Sequence, residues 1–144
     1  MTFNEKSCGA IVFKRNGNVE YLLLHYGAGH WDYVKGQVEP HESEKETVVR
    51  ELKEETGLVS AHFVEGFREE ISYFYTRQGR TVHKEVIFFL IETDDRNVKL
   101  SYEHIGYRWL SYEKAMEKLT FANAKKVLAK AHGFLRRRGI AEQD

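Results

Sequence analysis

The chain has 144 residues, and its 22 Lys and Arg balance 22 Asp and Glu, so the formal net charge is zero. That length suits one domain, 1–144, with a core of its own, and 42% hydrophobic with 31% charged residues places it among soluble globular chains rather than disordered ones. Neutrality argues against a protein held to long nucleic acid by bulk charge. The lack of an apolar run of about 18–20 residues argues against a membrane span. A lone cysteine, Cys8, and a first segment without signal-peptide character point to the cytoplasm.

In chain order, Gly9–Phe13 and Val19–His25 are apolar runs flanking Arg15-Asn16-Gly17-Asn18, whose turn chemistry predicts a β-hairpin. Tyr26–His41 reads as a loop, with Gly27, Gly29, Gly36 and the only proline, Pro40. Ser43–Thr56 reads as a helix. Ser43 is a good N-cap, Glu46 three residues on completes a capping box, and Gly57 is a natural stop. Its apolar stripe is narrow (Val48, Val49 and Leu52, with Leu58 just beyond), so its polar surface meets either solvent or a site.

His62–Thr76 alternates through Phe63, Glu65 and Phe67 and again through Ile71, Tyr73 and Tyr75, as a strand does. Gln78-Gly79-Arg80 is a turn. Val82–Glu92 is a strand whose centre, Val86–Ile91, is apolar on both faces and therefore central in a sheet. Tyr107–Leu110 is a short strand. Tyr112–Leu119 and Ala122–Arg137 read as helices, the second with Val127, Leu128, Ala131 and Leu135 at helical spacing. Strands, helix, strands, helices describe an α+β domain, or α/β/α layers around a mixed sheet.

Helical neighbours lie three and four residues apart, so Glu51, Glu54 and Glu55 share one face of the first helix. Three carboxylates there repel one another unless a cation sits among them, and a hard divalent ion such as Mg²⁺ takes a few carboxylates together with water and substrate phosphates. Arg50, four residues before Glu54, is placed to pair with it. A solvated charged face is the alternative for such a cluster taken alone.

Spacing decides between the two. Gly36, five residues, Glu42, seven residues, then Arg50-Glu51-Leu52-Lys53-Glu54-Glu55-Thr56-Gly57-Leu58 matches at every specified position the box of the Nudix hydrolases. The resemblance spans nearly the whole chain. It implies the Nudix fold and a loop-helix-loop over residues 36–58 that binds Mg²⁺ or Mn²⁺. It also implies attack of water on a phosphorus of a nucleoside diphosphate-linked substrate, with Glu51, Glu54 and Glu55 as metal ligands. A ligand carboxylate held ionised by a metal is a poor base, so the general base is Glu54 placed behind the ligands or a carboxylate from a loop outside the box.

Outside the box the chain resembles the subfamily of asymmetrical diadenosine tetraphosphate hydrolases. The resemblance lies in His30-Trp31-Asp32-Tyr33-Val34-Lys35-Gly36, in Glu65-Gly66-Phe67, and in Ser101-Tyr102-Glu103-His104 followed by Tyr107-Arg108-Trp109-Leu110. His132 with Phe134-Leu135 fits the C-terminal helix. Val34 stands where that subfamily has proline, and His41 where it has glycine. By position the resemblance makes Glu103 a further metal ligand or the base. It makes His30, Lys35 and Lys84 phosphate contacts, and Tyr73 and Phe121 rings that stack on adenine. Trp31, Tyr73 and Phe121 have core packing as their other role, and Glu103 a loop cap.

The expected reaction is asymmetrical cleavage of diadenosine tetraphosphate to ATP and AMP. The alternatives are the same chemistry on an RNA 5′ end, ADP-ribose or an oxidised nucleoside triphosphate, or a silent nucleotide-sensing module. The intact carboxylates argue against the last. An allylic diphosphate isomerase lacks its second acid here. The scatter of the seven histidines has no zinc-ligand spacing, and Arg136-Arg137-Arg138 reads as a solvated tail.

Overall fold

A computed structural model describes residues 2–142. Ten elements follow one another: β1 (Thr2–Asn16), β2 (Asn18–Tyr26), β3 (Trp31–Asp32), β4 (Val34–Gln37), α1 (Glu44–Thr56), β5 (His62–Arg77), β6 (Arg80–Glu92), β7 (His104–Leu110), α2 (Tyr112–Lys118) and α3 (Ala122–Arg137). The strands form one mixed sheet in the order β3-β2-β1-β6-β5, with β4 on β1 and β7 on β2.

The expected hairpin is present, but its strands stay paired only near the turn, from Phe13↔Tyr21 to Asn16↔Asn18. Beyond that they diverge, and the chain returns to fill the gap. Trp31–Asp32 pairs with β2, and Val34–Gln37 pairs with β1. The stretch expected as loop thus contributes two short strands. β1 also begins seven residues before the expected Gly9, because its polar first half pairs in parallel with β6 from Thr2↔Thr81 to Phe13↔Glu92.

Strand alternation sends side chains to two separate cores. Ile11, Phe13, Val86, Phe88 and Leu90 point to one face and meet Val127, Leu128, Ala131 and Leu135 of α3. Cys8, Ala10, Val12, Ile87, Phe89 and Ile91 point to the other and meet Val48 and Leu52 of α1 with Leu58. The sheet therefore lies between helical layers, as the expected α/β/α arrangement requires. β6 lies between β1 and β5, buried on both faces. Val49, expected to face the core, is 46% exposed, and the inner face of α1 carries Thr47, Glu55 and Thr56 instead. Among the described residues no helix is long and apolar enough to cross a membrane.

Candidate active site

The site starts with α1. Ser43 Oγ accepts from Glu46 N while the Glu46 carboxylate accepts from Ser43 N, and Gly57 closes the helix at φ 72°. These caps fix the phase of the helix, so Glu51 and Glu55 turn toward β4. There the carboxylate of Glu51 occupies the space that a β-carbon on Gly36 would fill. Arg50 ties the assembly together. Its Nε and Nη2 donate to Glu42 at 2.7 and 3.0 Å, Nη2 also to Gln37 O at 2.9 Å, and Nη1 to Glu51 at 2.7 Å. The expected pair with Glu54 exists but is longer, 3.3 Å. The Arg50 guanidinium, with Thr47, holds the Glu42 carboxyl down at about 2. Glu42, a fixed position of the motif whose role its spacing does not reveal, orients Arg50.

Glu55 is buried, with the Lys35 backbone near enough to favour its ionised form slightly. Burial, then the charges of Glu51 and Glu103, push its carboxyl up to about 9. Burial raises Glu51 as well, against the pull of Arg50. Glu54 is 58% exposed at the rim and adds its charge to the field at Glu51. Glu103 arrives from a distant part of the chain. Lys99 N and Ser101 N bond to the last carbonyls of α1, Thr56 O and Glu55 O, at 2.8 and 3.2 Å. Glu103 O in turn accepts from Gly27 N at 3.1 Å. Glu55, Glu103 and His104 then offer ligand atoms within 4.8 Å of one another.

His104 was matched in the sequence without a role. It is buried, its Nδ1 lies 3.2 Å from Ser101 Oγ, and its Nε2 is 3.5 Å from Glu55. Its distance along the chain from Glu55 left no signal in spacing. Glu55 Oε2 and His104 Nε2 are buried without a hydrogen-bond partner. Unmatched buried acceptor capacity beside clustered carboxylates fits a divalent cation, and Glu55, Glu103 and His104 are grouped closely enough that they could hold one.

On the other side of Lys35 lies a cavity of ≈ 400 Å³, lined by Asp32, Lys35, Ile71, Tyr73, Phe88, Phe121 and the first residues of α3. Tyr73 comes from β5, and Phe121, 47% exposed, precedes α3. Lys35 Nζ is held by the buried carboxylate of Asp32 at 3.1 Å, a partner that the sequence did not suggest. His30 stacks on Tyr26, with ring centroids 4.5 Å apart, and lies 5.3 Å from Phe121. Lys84 stands opposite Tyr73 in the β5–β6 register, outside the cavity lining. Trp31 packs between His25, stacked at 4.3 Å, and the Lys118 ammonium at 4.8 Å.

The fold, the glycine-cradled carboxylate and the capped helix belong to one class. The model of the NUDIX domain matches residues 4–131, and the chain belongs to that family. Among its relatives is the mouse bis(5′-nucleosyl)-tetraphosphatase [asymmetrical], 39% identical over 143 residues and aligned over 90% of this chain and 95% of that one. The Caenorhabditis elegans protein of the same name is 30% identical over 134 residues, with 90% and 96% coverage. A crystal structure described as a C. elegans Ap4A hydrolase binary complex superposes with a TM-score of 0.78 at 28% identity, covering 92% of this chain and 98% of that one. Nudix hydrolases use divalent metal ions, consistent with the donor set here.

Proposed function

We propose that this Nudix hydrolase cleaves diadenosine tetraphosphate asymmetrically, to ATP and AMP, with Mg²⁺ as the cation and Mn²⁺ able to replace it. One observation carries the reading: Lys35 joins the two halves of the site. Its backbone lies on the Glu55 side, where it favours the ionised form of that carboxyl, and its side chain lines the aromatic cavity. A base held between Tyr73 and Phe121 has its phosphates led past an ammonium group to the carboxylates. The names and near-complete coverage of the relatives support the same substrate class.

In this reading Glu51 and Glu55 hold the cation together with one of Glu54 and Glu103, His104 stands beside them, and the other of those two carboxylates is the base. When bound, such an ion neutralises phosphate oxygens and lowers the pKa of water. The protein residues do the rest. Arg50 keeps Glu51 and Glu42 in place. His30, Lys35 and Lys84 bind phosphate oxygens. Glu103 or Glu54, both exposed at the rim, takes the proton of the attacking water. The P–O bond to the leaving nucleotide breaks as the new one forms. We take residues 1–144 as one catalytic domain acting on a small molecule in the cytoplasm.

The test is product analysis on diadenosine tetraphosphate with Mg²⁺ in ¹⁸O-labelled water. ATP and AMP are expected, with the label showing which phosphorus is attacked. Two molecules of ADP, or far faster turnover of 5′-triphosphorylated RNA, overturns the assignment. Glu54→Gln and Glu55→Gln are expected to lower kcat by about 10²-fold or more, on the scale of losing a principal electrostatic group, with the fold retained.

A further inference from the structure

The first half of β1, which carried no apolar signal, brings a carboxylate into the strand row of Tyr73. In the sheet register Glu5 stands beside Lys84, and Lys84 beside Tyr73, so the three form one cross-strand row. Tyr75 and Arg77 follow Tyr73 on the same face of β5. The Tyr73 and Tyr75 ring centroids are 6.2 Å apart, and the Arg77 guanidinium lies 5.9 Å from the Tyr75 ring.

Glu5 collects donors from three strands. Its Oε1 accepts from Tyr75 Oη at 2.9 Å and Arg77 Nη2 at 2.5 Å. Its Oε2 accepts from Gln37 Nε2 at 3.3 Å and pairs with Lys84 Nζ at 3.7 Å. Its side chain is 11% exposed and that of Lys84 16%. In the adjacent row Ser7 Oγ is buried and has no hydrogen-bond partner. Two cations gathered on one carboxylate, in the strand rows next to Tyr73 of the cavity wall, make a place for anionic oxygens.

We propose that Arg77 joins Lys84 in gripping the polyphosphate chain of a dinucleotide beside the cavity, and that Glu5 is the residue that positions the pair. This rests on the hydrolase reading above. Glu5 holds the two cations together against their mutual repulsion and the cost of burying Lys84. Burial lowers the Lys84 ammonium and Glu5 opposes this; Lys35 and Arg77 push it further down. Those groups, with neutral Gln37 and the Tyr73 and Tyr75 phenols, face Lys84 from β1, β4 and β5.

The experiment measures kcat and KM for diadenosine tetraphosphate with Mg²⁺ across pH in the full chain, Glu5→Gln, Glu5→Asp and Arg77→Gln. Arg77→Gln, at an exposed side chain whose loss the fold tolerates, is expected to raise KM about fivefold with kcat within about twofold, as for one charge-assisted contact. Glu5→Gln is expected to do the same. It also moves the alkaline rise of KM toward lower pH, because Lys84 loses its acid partner. Glu5→Asp restores part of that shift. An unchanged KM in Arg77→Gln, or an alkaline limb at the same pH in Glu5→Gln, overturns this proposal while turnover by the parent chain leaves the hydrolase reading intact. Absence of turnover in the parent chain overturns the hydrolase reading and this proposal with it.

Discussion

The carboxylate of Glu51 lies against the α-carbon of Gly36, in the space that any other residue's β-carbon would take. Glycine is needed here for that contact, not for backbone freedom. In Gly36→Ala the far end of Glu51 swings aside and the sheet pairing of β4 persists, so the melting temperature falls by only a few degrees. Activity is expected to drop about 10–100-fold, the scale seen when the support of a metal ligand is disturbed. Steady-state kinetics and a metal titration check this. Wild-type metal affinity in Gly36→Ala rules the account out.

Glu55 links stability to pH. Its carboxyl is pushed up to about 9 from an ordinary value of 4.5 by burial and by Glu51 and Glu103. The folded chain therefore keeps a proton that the unfolded chain releases above about pH 4.5. The stabilisation is complete at low pH and is lost as pH rises through that interval toward about 9. In chelator, the melting temperature is expected to fall from pH 6 to pH 9, and Glu55→Gln should flatten the slope. Added Mg²⁺ should displace about one proton, read by calorimetry in buffers of different ionisation enthalpy. A slope equal in both proteins contradicts the assignment.

Tyr73 and Phe121 line the same cavity from β5 and from the chain before α3. Tyr73→Ala and Phe121→Ala are each expected to raise KM about tenfold, from stacking worth about 1–3 kcal/mol per base, with little change in kcat. Phe121→Leu, which keeps apolar bulk without the ring, separates stacking from simple burial. If it binds as tightly as the parent chain, stacking is not the interaction.

His41 is held at φ 67°, in the left-handed region that favours glycine. Its subfamily resemblance suggests glycine at this place, and the backbone has kept the glycine conformation with a histidine in it. His41→Gly removes about 1–2 kcal/mol of steric cost and adds about 0.5–1 kcal/mol of chain entropy. A net gain of about 0.5 kcal/mol is expected in denaturant unfolding. Lower stability in the glycine variant counts against strain at His41.

The helix of the box was legible to its caps because capping chemistry is local: Ser43, Glu46 and Gly57 act on backbone groups within one turn. The apolar runs of β2 and β6 were legible because both faces are buried. The first half of β1 was not, since Thr2–Lys6 has no apolar alternation and becomes a strand only by pairing with β6. Val49 misled because periodicity shows which residues share a helix face and not how wide the buried stripe is. β3 and β4 were hidden in a glycine-containing segment because they exist to fill the gap between two diverging strands.

Residues 36–58 by themselves determined the family and the chemistry: spacing on one helix sets three carboxylates together wherever that helix is placed. Only the tertiary structure decided what surrounds them. Glu103 and His104 reach Glu55 through hydrogen bonds from Lys99 and Ser101 to the end of α1. Tyr73 meets Phe121 across a cavity, and Glu5 meets Lys84 and Arg77 across strands. Helical periodicity is written in neighbouring residues. Contacts between strands and loops far apart in the chain are set by sheet order and register, which no local pattern in this sequence encodes.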